Sequence, residues 1–592
     1  MKRNYALCDL LRVPLQCAPA CTLALLLMNL VTSLLPGIQT TAVALFIDRA
    51  LAMAAGNAVF SSVMAPLLLT LATVAWPYVM DSIMKLLRLR LELKLDERFR
   101  TDILEKRARL SYRHIENNED WELITRVCDK PSERFCNSMN SMISLVSDIL
   151  SIGSVLTVIM VHVWWAGLAV IAFSVPLGWV AIRAGRKQYA EDKRVKRYER
   201  RADYLHTLLT ERDGVEERSL FGYADAMDAR WAERYGEASH IAIRQMRRYF
   251  VQVKGTGLIM LLISALIVVT LMWPLAVGGI TIGLFIGLTT SAFSLVQRMS
   301  WSLPNDMSEL AKNREYCRDL TGFFALDEQE GALDVPALPE GFRLDSIEFR
   351  NVSFAYPGTD RLILNGFSAK LEAGRHYAVV GANGAGKTTL TKLLTGLYPE
   401  YEGEILINGR ELRTYPLAAL KAMFKSANQD FARYAVTVRE NIELGDLHVN
   451  ASPDADAALA ALELDEAVGK LAKGADTPLG KIRKDSVDLS GGQWQRLALA
   501  RTYAAEAQMR ILDEPTAALD PMAESAIYSL FGRISRDMTT LFITHRLGAA
   551  RLADEIIVLN GGRVAETGSH DVLMARGGLY AAMFESQRSW FE

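Results

Sequence analysis

The sequence predicts a multidomain membrane protein, in which an all-α domain of six spanning helices precedes an α/β domain built around a parallel sheet. Charge-free stretches longer than the roughly 20 residues needed to cross a bilayer come in three pairs within the first half of the chain. Strand-like apolar runs alternate with helical patterns in the second half. The length of 592 residues also exceeds one core, since single cores stop growing near roughly 250 to 300 residues.

The first pair of spans covers residues 15–47 and 50–80, separated by Asp48 and Arg49 and by a small-residue loop at Gly56 and Asn57. That spacing predicts a tight external hairpin. The basic start of the chain imitates a secretory signal, but an uncharged run of this length exceeds the about 7 to 15 apolar residues of such signals. The second pair runs over residues 137–182 and breaks near His162, Trp164 and Trp165, where aromatics suit a membrane interface. The third runs over residues 255–297 and turns at Trp273, Pro274, Gly278 and Gly279.

Between the pairs lie two polar segments, residues 85–134 and 183–248, dense in charge and in helix formers. Their basic excess, with Lys2, Arg3 and Arg12, places both segments and the amino terminus in the cytoplasm by the positive-inside rule. Asp148 is the acid that falls well inside a predicted span, which makes it a candidate for the substrate path. The alternative is a buried pair with a polar neighbour such as Lys254. Asp81, Lys254 and Arg298 lie near cytoplasmic ends and are expected to snorkel.

The domain boundaries follow from these patterns: a membrane domain over 1–325, a linker over 326–341 carrying Pro336 and Pro339, and a soluble domain over 342–592. Strands are expected at residues 346–354, 376–380, 509–512 and 540–543. The charges nearly balance, at 66 basic against 68 acidic, so no global field points to nucleic acid. The six cysteines form no CxxC pair and suggest neither a zinc site nor a disulfide framework.

The soluble domain carries the chemistry. Residues 381–388, GANGAGKT, follow the apolar strand HYAVV and open a helical pattern, the context that a phosphate-binding P-loop requires. Backbone amides around Gly381, Asn383, Gly384 and Gly386 would wrap phosphates, with Lys387 reaching the outer ones. Thr388 would offer a hydroxyl to Mg2+, and Thr389 follows it in the nucleotide-binding helix. The strand RILDEP ends in two carboxylates, of which Asp513 would hold Mg2+ and Glu514 would polarise the attacking water. The third element is LSGGQ, residues 489–493, opening another helical run. Ser490 and the amides of Gly491 and Gly492 form a second anion cradle at a helix start, and Gln493 is counted with them as nucleotide-binding.

In these motifs the sequence resembles the ABC transporter superfamily, whose ATPases carry this LSGGQ signature. The resemblance implies ATP and Mg2+ as cofactors and a head-to-tail stacking of two ATPase domains, each P-loop facing the other's signature across a shared ATP. It further implies that Tyr356 stacks on adenine, that Gln429 contacts Mg2+ and acts in catalysis, that Asp520 lies at the inter-subunit loop, and that His545 contacts the γ-phosphate. Lys481, Arg483 and Lys484 depart from the glycine-rich, more acidic stretch that many relatives carry before the signature.

The resemblance covers nearly the whole chain and extends to the exporter-type half-transporters of the type IV fold. It implies ATP hydrolysis coupled to transport by alternating access, most simply export of a small molecule, lipid or peptide. The partners implied are a second copy of the chain or a paralogous half-transporter, the lipid bilayer and the transported molecule, with no nucleic acid. The location implied is the bacterial inner membrane with a cytoplasmic ATPase domain. Short docking helices at the tips of the extensions are expected near residues 117–125 and 209–217. Import of a metal chelate by the same fold is the alternative, and a non-transport ATPase is disfavoured by the six spans.

Overall fold

The computed structural model describes residues 4–165, 167–168, 172, 195, 198–199, 202–211, 215–447, 454–481, 483–514 and 538–588. Its contacts divide the chain into two compact units, Met1–Arg107 with Glu122–Leu326, and Ala108–Trp121 with Asp327–Glu592. The first is helical.

Proline at the first turn suits a helix start, and Pro19 opens Pro19–Ala54 in that way. A turn at Gly56, with φ 77° in the left-handed region, leads into Phe60–Leu95, as the expected tight hairpin requires. Among the described residues, three helices are long and apolar enough to cross a membrane, Pro19–Ala54, Phe60–Arg109 and Pro131–His162. Shorter apolar stretches follow at Ser264–Ala276, the end of the long helix Ala224–Ala276, and at Ile282–Leu295. The fourth expected span lies largely outside the described residues. Leu23, Leu27, Leu34, Leu68 and Leu71 point outward from the first two spans, which suits hydrocarbon rather than water.

Close helix contact in a membrane depends on small residues, because lipid tails are as apolar as leucine. Gly283 and Gly287 lie against the first span, where a Cβ on Gly283 would collide with the Ala44 carbonyl and one on Gly287 would stand 2.8 Å from the Thr40 carbonyl. The hydroxyls of Thr40 and Ser291 hydrogen-bond across the same seam. At its end, Asp48 accepts from the Thr281 hydroxyl at 2.6 Å and from the Gly283 amide at 2.8 Å, holding the start of Ile282–Gln297.

The second unit carries two sheets. The antiparallel sheet has the order β2-β1-β4-β5, from Ser346–Ala355 (β1), Leu362–Glu372 (β2), Glu402–Ile407 (β4) and Arg410–Glu411 (β5). The expected strand at 346–354 therefore forms, but in this antiparallel layer rather than in the parallel core. The other sheet runs β10-β9-β3-β8-β7-β6. Its members are His376–Gly381 (β3), Phe424–Ala427 (β6), Met509–Asp513 (β7), Thr539–Ile543 (β8), Glu555–Asn560 (β9) and Arg563–Gly568 (β10). All of its pairings are parallel except β9 with β10. β3, β7 and β8 are buried almost throughout, so their sequences read as continuous apolar runs instead of alternating ones.

The segment Ala108–Trp121 belongs to this unit through its own contacts. Glu116 meets Lys392 and the Tyr398 hydroxyl, Arg113 meets Asp327 and, at 3.5 Å, Glu400, and the rings of Tyr112 and Tyr398 pack edge to face at 5.6 Å. A helix does begin at Asn118, as Asn118–Cys128. The side chains that carry these contacts lie just before it, however, in Tyr112–Glu116. Of the second expected docking segment, residues 212–214 lie outside the described residues.

Candidate functional site

In a parallel α/β sheet, ligands bind beyond the carboxyl ends of the strands. Register puts four such ends together here: β6 pairs with β7 through Ala427 and Leu512, β7 with β8 through Asp513 and Ile543, and β8 with β3 through Ile543 and Val379. The edge thus presents Gly381 from β3, Gln429 two residues past β6, Asp513 and Glu514 at β7, and His545 past β8. Sequence positions up to 164 residues apart meet at one mouth, because each motif sits at the end of its own strand.

The P-loop leaves β3 through Gly381, where a Cβ would collide with the Leu559 carbonyl. It enters the helix Lys387–Leu394 through Gly386 at φ 102°, where a Cβ would meet Leu364 at 2.8 Å. Lys387 is buried, and its ammonium donates to the Gly381 and Ala382 carbonyls at 3.0 and 3.2 Å, across the loop it is expected to serve. Burial lowers its pKa, against the pull of Glu514 and Asp513. Asn383, Gly384 and Thr388 are exposed, so the loop surface is open to a polyphosphate.

Asp513 is 3% exposed, and its buried Oδ1 has no hydrogen-bond partner among the described residues. Burial raises its pKa, opposed by a hydrogen bond from Thr388. A hard divalent cation prefers such oxygen donors, and the orphaned carboxylate oxygen beside the Thr388 hydroxyl fits Mg2+. Glu514 adopts φ 47°, an uncommon conformation for a residue with a side chain, and its amide donates to the Ile543 carbonyl at 2.9 Å. Its carboxylate meets His545, whose Nδ1 lies 3.1 Å from Glu514 Oε1. Gln429 is exposed.

Tyr356 lies beside the loop, with its hydroxyl 3.0 Å from Thr389 Oγ1 and its ring edge-on to Phe354 and Tyr398. The Lys392 ammonium stands 5.3 Å from the Tyr356 ring centre and also pairs with Glu116. Sequence reasoning missed Lys392 and Glu116, because a lysine on a helix and a glutamate in a charged segment carry no local signal. Burial works against ionisation of Glu116, but hydrogen bonds from Lys392 and Tyr398 outweigh it and hold the carboxyl below its ordinary range.

The signature has a core of its own. Ser490 caps Gly491–Ala504 in a capping box with Gln493, the two exchanging bonds of 2.9 and 3.3 Å. The amides of Gly491 and Gly492 then have no intrahelical acceptor and are available to an anion. Trp494 and Leu497 below them pack with Val438, Ile442 and Leu459, whereas Leu390 below the P-loop packs with Tyr377 and Val379. The basic approach to the signature is partly neutralised, since Lys481 pairs with Asp488 at 3.3 Å and Asp488 accepts from the Trp494 indole. Asp520 lies outside the described residues.

In the helical unit, Asp148 is buried and bonded to Arg298 at 2.9 Å. This revises one expectation, since Arg298 does not snorkel but pairs with Asp148; the side chain of Lys254, named as a buried partner, lies outside the described residues.

Comparison with known proteins agrees with this geometry. Residues 364–517 match the ABC transporter family. The subtilin transport ATP-binding protein SpaT of Bacillus subtilis is 29% identical over 503 residues, covering 84% of this chain and 81% of that protein. An ATP-dependent lipid A-core flippase of Xylella fastidiosa is 29% identical over 504 residues, covering 83% and 82%. A bacterial Atm1-family ABC exporter solved with ATP bound superposes with a TM-score of 0.76 at 25% identity, over 95% of this chain and 98% of that one.

Proposed function

We propose that the chain is an exporter half-transporter of the ABC transporter superfamily, which works as a dimer and exports a lipid or a peptide by alternating access. The observation that carries the dimer is the pair of phosphate cradles, one on each of two separate cores within one domain. Two chains stacked head to tail give each P-loop a signature from its partner. The relatives' named cargoes, subtilin and lipid A-core, support a bulky amphipathic substrate.

In this reading Lys387 and the amides of the P-loop hold the outer phosphates of ATP, with Tyr356 beside the adenine. Asp513 and Thr388, together with Gln429, would hold Mg2+, which would neutralise charge on the phosphates. Glu514 accepts a proton from the attacking water, and His545, already in contact with that carboxylate, orients it against the γ-phosphate. Closing the two domains on ATP favours one state of the membrane domain because the sandwich exists in that state alone. Hydrolysis then releases it. The membrane domain sits in the bacterial inner membrane with the ATPase domain in the cytoplasm.

Complementation tests the composite site. Ser490→Arg and Lys387→Ala each inactivate the chain alone, but in a mixed dimer both lesions fall in one site and leave the other intact. ATPase activity should reappear on mixing, and its absence from demonstrably mixed dimers would remove the dimer reading. Direction is tested in inside-out vesicles, where ATP-dependent uptake of labelled lipid or peptide is expected.

A further inference from the structure

Asp148 lies fourteen residues before the end of its helix at His162, which is roughly 21 Å at 1.5 Å per residue and inside a hydrocarbon core about 30 Å thick. The residue is 7% exposed, and Arg298 reaches its Oδ1, but its buried Oδ2 has no hydrogen-bond partner among the described residues. A second acid faces it. Asp306, in Leu303–Ala325, interacts repulsively with Asp148, and its own buried Oδ2 also has no partner among the described residues. The Ser302 hydroxyl approaches Asp148 and the Ser144 hydroxyl approaches Asp306. Glu309, the next acid along, is paired with Lys312 at 2.7 Å.

Among the described residues, Arg298 therefore pairs with Asp148 alone, and Asp148 Oδ2 and Asp306 Oδ2 are both left without a donor. An uncompensated charge in a low-dielectric setting is costly, so a further cation is favoured there. The π-helical turn Arg298–Ser302 carries Arg298 and Ser302 to this cluster, and such turns recur at functional sites. We propose that Asp148 and Asp306 bind an ammonium group carried by the transported molecule, with Arg298 holding Asp148 in place and Ser144 and Ser302 lining the site. This rests on the export reading and narrows its substrate class. An ammonium matches the vacancy because it brings both a charge and three N–H donors.

The test compares octylamine with octanol, equal in chain length, on the full-length protein in nanodiscs. Melting temperature is followed without nucleotide, so that the site is read independently of ATP turnover and a failure of the export reading stays distinguishable. Octylamine should stabilise the wild type relative to octanol, with a saturable concentration dependence. Asp306→Asn leaves the Asp148–Arg298 pair intact and should raise the half-maximal concentration about tenfold, as expected for losing one charged hydrogen bond. Asp148→Asn should do at least as much, and Asp306→Asn decides the matter should that variant fold poorly. Equal responses to amine and alcohol in the wild type, or an unaltered half-maximal concentration in Asp306→Asn, would overturn the proposal.

Discussion

The nucleotide-binding half and the membrane half assemble their polar sites in opposite ways. In the ATPase unit the P-loop, Asp513, Glu514 and His545 sit at or just past strand ends inside short contiguous motifs, and the parallel sheet brings those ends to one edge. In the membrane unit the polar contacts join single residues far apart in the chain, such as Asp148 with Arg298 and Asp48 with Gly283. The first arrangement is written locally, in backbone geometry that glycines and a strand–loop–helix order specify. The second is written in how helices are rotated against each other.

That contrast explains what could be read in advance. Lys387, Asp513, Glu514 and Ser490 were legible because their neighbours dictate the local conformation. A charge-free run, by comparison, shows that a helix crosses but not which face meets which neighbour, since rotation is set by packing. Asp148 could be singled out as an intramembrane acid, whereas its partner could not. Lys254 and Arg298 looked equivalent by position, and it is helix packing that brings Arg298 to Asp148. Asp306 was invisible for the same reason, and Glu116 with Lys392 because their contact spans 276 residues.

The largest effect tests the local half. Glu514→Gln removes the proton acceptor but leaves both cradles and the Asp513 carboxylate, so hydrolysis should fall by about 10²- to 10⁴-fold while ATP binding persists. Single-turnover hydrolysis and nucleotide binding measured on the same preparation separate the two. Hydrolysis near the wild-type rate would show that the motif does not supply the base.

A smaller effect tests the packed half. Gly283→Ala places a methyl group against the Ala44 carbonyl and should cost about 1 to 3 kcal/mol, as overpacking does, seen as a lower melting temperature in nanodiscs. Gly153 is the control: it also lies in a spanning helix, but a Cβ there meets nothing within 4 Å. Gly153→Ala should be neutral or slightly stabilising. Equal destabilisation by the two would mean that helix propensity, not close approach, governs these glycines.

The smallest effect concerns a contact that belongs to neither pattern, the pairing of Glu116 with Lys392 beside Tyr356. Both side chains are partly exposed, so solvent weakens the pair, and a coupling of about 1 kcal/mol is the expected scale. Glu116→Gln and Lys392→Gln should each lower ATPase activity a few fold, and the double variant should be no worse than either single one, because the second change removes a contact already lost. Limited proteolysis of residues 108–121 should show the same non-additivity. The acid-base behaviour adds a constraint. Glu116 is held below its ordinary range, so its contribution is fully present above the unfolded value near ~4.3 and is lost only as pH falls through the lower folded value. The coupling measured at pH 6 should therefore equal that at pH 8. Additive single effects, or a coupling that changes between those two pH values, would show that Glu116 and Lys392 do not act as this ion pair.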